Sequence, residues 1–500
     1  MSIRVYNTLT GEKETFEPVN PGKVGIYLCG PTVYKPSHIG HAVGPVIFDA
    51  IKRYLTFRGF EVTWVVNITD VEDKLIAEAA AQNVPVFELA RRVTEDYNSA
   101  MKKLGVTGID HMPKASEYIG DIIDYIQRLV DKGAAYPSDG DVYFDVTVCK
   151  GYGKLSNRSP DEQFGQRELQ SGQKRNPGDF CLWKASKPEE PDAVKFDSPW
   201  GAGRPGWHID CSVMSMKLLG ETFDIHGGGM DLIFPHHENE IAQSETATGQ
   251  SFAKYWLHNG LTRFNTKKIS KSDEEMARFM EKMVLTRLLA ERDGELIRYL
   301  ILGTHYRSPI DFSDEEVEAK RKGLMTFYRL FDRVLRITGT GVYGDSPSLS
   351  QAPGAVEEPL RGFADDVLSY RQRFVEVMDD DFNTAAAIAV LFELAGRINR
   401  FIDEQKVETE PGDASKAAVL AAGRELVELG RLLGLFLEPR AIAGAGGGER
   451  LDAVMRVLID VRQYCRQNKD FRAADMIRDK LAEIGVTLVD RPGGTEWETR

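Results

Sequence analysis

Cysteine is scarce: the 500 residues hold five, at positions 29, 149, 181, 211 and 465, and no Cys-x-x-Cys pair. An odd, sparse set excludes a disulfide framework and points to a reducing compartment, so any metal site must gather its thiols from distant segments. Long apolar runs are also missing. None approaches the ~18 residues of a spanning helix, which excludes helical membrane proteins. The opening Met1-Ser2-Ile3-Arg4-Val5-Tyr6-Asn7 has no apolar stretch, so no secretory signal is expected and the chain is expected in the cytoplasm. Positive charge is in deficit, with 63 Lys and Arg against 76 Asp and Glu and a net charge of −13. That weighs against nucleic-acid binding without removing it, because a local basic face can sit on an acidic body. A content of 42% hydrophobic and 28% charged residues is globular rather than disordered.

The first half alternates two periods. Val24 to Cys29 reads as a short buried strand, a helical pattern runs from about His38 to Thr56, and Val62 to Val66 is a continuous β-branched strand. Strand–helix–strand at this spacing implies a parallel sheet. Residues 115–205 are dense in Gly, Pro and polar side chains and read as an insertion. The α/β pattern returns at Trp207-His208-Ile209-Asp210-Cys211. From about 314 the pattern is helical, with i, i+3, i+4 apolar spacing at Phe363–Met378 and Ala385–Ile402. The run Ala443 to Gly448 reads as a flexible linker before two helices and a short β tail.

Four strings carry chemistry. His38-Ile39-Gly40-His41 opens a helix directly after a parallel strand, where free N–H groups and the helix dipole suit phosphate. Gly40 admits a planar ring, and the imidazoles add donors; two exposed histidines on an ordinary helix are the plainer reading of the string alone. Lys268-Ile269-Ser270-Lys271-Ser272 places two lysines where they can neutralise a departing pyrophosphate. A solvated basic loop is the plainer reading of that string alone. The Gly-rich stretch Asp224 to Asp231 reads as a turn on which a nucleoside can rest, with Asp231 accepting from ribose. Pro235 suits a first helical position, so His236 and Glu240 fall at i and i+4 on one face. Cys29 and Cys211 both end strands on this reading, and parallel strand ends meet at one crevice. Cys29, Cys211, His236 and Glu240 then form a Cys₂-His-carboxylate set suited to zinc, against the competing reading of buried free thiols and a satisfied histidine.

The ordered pair His38-Ile39-Gly40-His41 and Lys268-Ile269-Ser270-Lys271-Ser272 resembles the signature of class I aminoacyl-tRNA synthetases, with Ile269 where that class more often has Met. The segments Leu28 to Tyr34, Asn67 to Lys74, Gly206 to Ser212, His226 to Gly229 and Phe234 to Gln243 narrow the resemblance to the cysteinyl-tRNA synthetase family. The resemblance implies zinc on Cys29, Cys211, His236 and Glu240. It implies an amino-acid pocket at Thr69 and Trp207, and ATP contacts from His38, Gly40, His41, Gly229, Asp231 and Lys271, with Lys268 also catalytic and Mg²⁺ accompanying ATP. It further implies L-cysteine and tRNA(Cys) as partners and activity as a monomer. The expected architecture is α/β: a Rossmann-like catalytic domain over 1–114 and 206–313, split by a connective insertion at 115–205. An all-α bundle follows at 314–442, then the linker at 443–448 and an anticodon-binding module at 449–500, where Trp497 is the candidate for stacking a base. At about 90 residues the insertion is short for an editing domain. One departure stands out: after Ser272 the acidic run Asp273-Glu274-Glu275 replaces the family's Leu-Gly-Asn and is expected to damp the field of Lys271.

Overall fold

The computed structural model describes residues 2–499 apart from 159–173, 264–280, 282, 345–359, 411, 441–447 and 492–493. The Lys268–Ser272 loop and the acidic run behind it lie outside the described residues. The rest divides into two compact units, Met1–Leu437 and Glu438–Arg500.

At the centre of the first unit is a four-stranded parallel sheet, in the order Ala253–Asn259, Phe223–Gly229, Lys23–Leu28, Glu61–Val66. Ile26, Tyr27, Leu28, Trp64, Val65, Ile225, Trp256 and Leu257 are all buried, as a sheet covered on both faces requires. Chain order reverses on either side of Lys23–Leu28. The carboxyl end of that strand is therefore a topological switch point, the place where open α/β sheets leave a crevice. Cys29 follows immediately, and the helix Gly40–Phe57 starts beside it.

Three local expectations fail here. Cys211 does not end a strand: it lies in the first turn of the helix Ile209–Leu219, seven residues of which are buried. Burial of its first seven residues on all sides left no polar stripe there to mark a helix. Pro235 does not begin an α-helix either. Ile233–His237 is an irregular wide turn with Phe234 extended, and the regular helix runs Glu238–Thr248. The glycines of 227–229 also belong to the strand Phe223–Gly229 rather than to a turn after it. A side chain at Gly227 would overlap the Phe48 ring of the Gly40–Phe57 helix, so glycine there permits the close helix–sheet approach.

Between the two halves of this sheet, the helix Ile119–Asp131 packs on an antiparallel sheet of Ala135–Ser138, Asp141–Phe144, Phe180–Ala185 and Gly203–Pro205. Helices Asp314–Thr338, Leu360–Asp379, Thr384–Glu404 and Asp413–Leu432 pack on one another. The second unit holds helices Gly448–Gln467 and Phe471–Glu483 and the hairpin Val486–Arg491/Gly494–Thr499.

One buried cation ties the sheet region to the helices. Arg298 is fully buried and donates to Asp49 Oδ2 (2.6 Å) on the Gly40–Phe57 helix, to the Leu433 carbonyl (2.7 Å) and to the Leu104 carbonyl (3.2 Å). Arg298→Met leaves Asp49 with one fewer partner and orphans two carbonyls. It is expected to destabilise the first unit by about 3–5 kcal/mol, read as a fall in the denaturant midpoint.

Candidate functional site

A cavity of 620 Å³ opens at the switch point. It is lined by Cys29, His38, Gly40, His41, Thr69, Trp207, Cys211, Gly229, Asp231 and His236, so ten residues singled out from sequence converge on one space. Glu240 sits just behind the wall. Lys268 and Lys271 fall outside the described residues. Trp497 belongs to the second unit, half-buried against Met455, Leu481 and Val486.

The four candidate ligands meet. Cys29 Sγ lies 3.9 Å from Cys211 Sγ and 3.6 Å from Glu240 Oε1, and His236 Nε2 lies 3.0 Å from Glu240 Oε1. The i, i+4 relation of His236 and Glu240 survives because the irregular turn runs straight into the helix. His236 Nδ1 faces His208 Nδ1 at 2.8 Å, so its Nε2 is the nitrogen turned to the thiols. Burial alone would raise both thiols. It does so for Cys29, whereas hydrogen bonds from Cys29 and His236 outweigh it at Cys211 and hold that thiol at about 6. Burial would raise Glu240 too, but the imidazoles of His226 and His236 hold it at about 2. The pair of sulfurs thus favours one thiolate and one thiol, with a carboxylate beside them.

Sequence reasoning missed the layer beneath. His226 Nε2 is 2.8 Å from Glu240 Oε2, and His237 Nε2 is 3.4 Å from Cys29 Sγ. His237 Nδ1 is in turn 2.8 Å from His258 Nε2. Cys29, His226, His237 and Glu240 thereby form a second compact donor set sharing two members with the first. His226, His237 and His258 are buried and do not line the cavity, so the first set presents three of its members to it, Cys29, Cys211 and His236, and the second only Cys29. Their register on the neighbouring strands, His226 opposite Trp256 and His258 opposite Gly228, was the one signal available.

His38 and His41 stack with ring centroids 4.0 Å apart. His38 Nδ1 accepts from the Gly40 N–H (3.1 Å), and His41 Nδ1 accepts from the His38 N–H (3.3 Å). With both Nδ1 atoms occupied as acceptors, the proton of each neutral ring sits on Nε2. Burial lowers both, His41 to about 4 with His38 contributing, so the pair offers two neutral N–H donors near pH 7. A side chain at Gly40 would come within 2.8 Å of His38 Cε1 and break this stack. Because the folded value for His41 is depressed, the stability it contributes is intact above about 6.5 and is lost as pH falls through about 4. The gap in unfolding midpoint between the parent and His41→Asn is therefore expected to narrow as pH drops from 7 to 4.

A class I aminoacyl-tRNA synthetase is what this fold and this cavity define. The model of the tRNA synthetases class I (C) catalytic domain matches residues 15–322, and the DALR domain model matches 373–438. The Mycobacterium tuberculosis methionyl-tRNA synthetase solved with methionyl-adenylate has the same fold, with a TM-score of 0.61 at 16% identity over 85% of this chain and 92% of that one. More particularly, the chain belongs to the cysteine–tRNA ligase family. It is 46% identical to the cysteine–tRNA ligase of Geobacter metallireducens and 47% identical to that of Syntrophotalea carbinolica, each over the full length of both chains. Among the described residues no helix is long and apolar enough to cross a membrane.

Proposed function

We infer that this enzyme activates L-cysteine with ATP, releasing pyrophosphate, and passes the cysteinyl group to the 3′ end of tRNA(Cys). The observation that carries the reading is the convergence, in one cavity, of a neutral imidazole pair at a helix start and a four-donor thiol-bearing cluster.

The donor set fits zinc. Tetrahedral ligands at 2.0–2.3 Å from zinc stand roughly 3.3–3.8 Å from one another. The 3.0, 3.6 and 3.9 Å separations among these atoms already approximate that spread. Cys29, Cys211, His236 and Glu240 would hold the ion, with His208, His226 and His237 orienting them from behind. When bound, zinc supplies a preference for thiolate over hydroxyl, which a purely hydrogen-bonding pocket gives poorly for two near-isosteres.

The remaining chemistry belongs to the chain. The cysteine carboxylate is already anionic and needs no general base, so alignment and charge stabilisation suffice. Nε2–H of His38 and His41 donate to the phosphates. Lys268 and Lys271 neutralise the leaving pyrophosphate together with Mg²⁺. Gly229 leaves room for the nucleoside and Asp231 accepts from its ribose. Thr69 and Trp207 bound the amino-acid pocket. The second unit takes the distal part of the tRNA, and the enzyme works as a cytoplasmic monomer. The test is ATP–pyrophosphate exchange and tRNA charging with cysteine and with serine. Both reactions are expected with cysteine and neither with serine. Exchange without charging would favour instead a ligase that hands cysteine to a smaller acceptor.

A further inference from the structure

The cavity has a further wall that carries neither the zinc donors nor the nucleotide contacts. The helix Asp73–Gln82 follows the strand Glu61–Val66, which flanks Lys23–Leu28 on the side away from Phe223–Gly229. Its second residue, Lys74, lines the cavity together with Tyr34, which lies between Leu28 and Gly40. Lys74 is exposed and Tyr34 half-buried, and the Lys74 ammonium stands over the Tyr34 ring, 5.8 Å from its centroid. The acids nearby are engaged elsewhere. Glu78, one turn further on, lies 3.4 Å from the Lys35 ammonium and accepts from the Gln82 amide (2.8 Å). Asp73 pairs with Lys184 (2.9 Å) and with buried Arg204 (2.6 Å), both in the insertion. Glu72 accepts the backbone N–H of Lys74 (2.6 Å). Among the described residues the Lys74 ammonium is thus left with an aromatic face and no ion pair. A cation in the first turn of a helix also has the dipole against it, so stability does not explain its placement.

We propose that Lys74, steadied over the Tyr34 ring, binds a phosphodiester of the tRNA 3′ end while the cysteinyl group is transferred. This rests on the cysteine-activating reading and adds to it a residue that receives the acceptor strand. Three kinds of anion enter the cavity over the two steps: the ATP phosphates, the cysteine carboxylate and the tRNA backbone. The phosphates are served by His38 and His41, at the start of the helix Gly40–Phe57. The carboxylate is the attacking group and must reach the α-phosphate, so an ammonium gripping it from across the central strand would hold the nucleophile back. The phosphodiester is the anion left for this wall. A ring-held ammonium suits it, because the cation–π contact keeps the charge in place without neutralising it. An arriving phosphodiester takes up that charge with no ion pair to break. The clamp of Asp73 by Lys184 and Arg204 fixes the start of the helix, so the Lys74 backbone stays in place as its side chain turns from ring to phosphate.

The two half-reactions of the full chain separate these anions. In Lys74→Gln, kcat/KM for tRNA in charging is expected to fall about tenfold or more, as for a lost charged hydrogen bond, while cysteine-dependent ATP–pyrophosphate exchange keeps both KM values within about twofold. Salt tells a phosphate contact from a structural role. The slope of log KM for tRNA against log salt concentration is expected to become shallower by about 0.7, the share of one single-stranded phosphate. Lys74→Arg, which keeps the charge, is expected to restore the parental slope. Tyr34→Ala is expected to weaken charging in smaller measure, and Tyr34→Phe, which keeps the ring, to match the parent. The thermal midpoint of Lys74→Gln is expected not to fall, since the cation it removes opposes the helix dipole. An unchanged salt slope in Lys74→Gln, or a raised KM for cysteine or ATP in exchange, overturns the proposal and leaves the activity reading standing. Absence of cysteine-dependent exchange in the unaltered chain would overturn the activity reading and this inference with it.

Discussion

Cys211→Ser is expected to lower kcat/KM for cysteine by on the order of 10³-fold and to abolish most of the discrimination against serine. The serine hydroxyl stays protonated near neutral pH and is a far weaker ligand than the thiolate that Cys211 forms readily, its thiol being held at about 6. The change replaces a soft sulfur ligand by a hard hydroxyl oxygen at the position toward which the Cys29 thiol points, 3.9 Å away. Elemental analysis of the parent is expected to find a single zinc per chain and of the variant close to none. KM for ATP should move little, because the donors assigned to the phosphates, His38 and His41, sit at the start of the helix Gly40–Phe57 and not on the helix that carries Cys211. Cys149→Ser is the matched control: that thiol is half-buried in the insertion and takes no part in either donor set, so both zinc and activity are expected to stay. A parent enzyme that is free of metal and still refuses serine would refute the selection mechanism outright.

What the sequence disclosed and what it hid follow from one physical distinction. The grouping of Cys29, Cys211, His236 and Glu240 was legible because few combinations of Cys, His and Glu are worth bringing together and because Cys29 follows a strand end of the parallel sheet; the strand end expected at Cys211 is a helix. The parallel sheet itself was legible from Val62–Val66, whose unbroken apolar run suits burial on both faces. Burial also caused the misreadings. Ile209 to Leu219 is helical but buried on most sides, so no polar stripe marks its period, and Cys211 was assigned to a strand. His226, His237 and His258 stayed hidden for the opposite reason. A lone histidine on a buried strand, as at 226 and 258, carries no spacing signal, His237 has only Ile241 at i+4, and the 2.8 Å His237–His258 contact joins an irregular turn to a strand 21 positions away. The Thr69–Asp210 contact spans 141 positions and has no local signature at all.

The same distinction reorders the second unit. Trp497, the aromatic that the sequence suggests for base stacking, is half-buried against Met455, Leu481 and Val486. Tyr464 and Phe471 stand open instead, 68% and 58% exposed, on either side of the turn at Asn468–Asp470, where Lys469 has a φ of 60°. From Glu438 onward the chain carries eleven basic and eleven acidic residues, so the whole net charge of −13 lies in residues 1–437 and the second unit does not repel a polyanion. Exposed rings beside cations are the arrangement on which unstacked bases lie, each stack being worth about 1–3 kcal/mol. Tyr464→Ala and Phe471→Ala are each expected to raise KM for tRNA in charging by roughly 5- to 150-fold, and cysteine-dependent ATP–pyrophosphate exchange should not change. Trp497→Ala is expected to act differently, by loosening the small core, which thermal unfolding of the second unit would register before any loss specific to tRNA. If instead Trp497→Ala raised KM for tRNA with the unit still folded, and the two exposed rings proved silent, base stacking would belong to the hairpin and not to the turn between the helices.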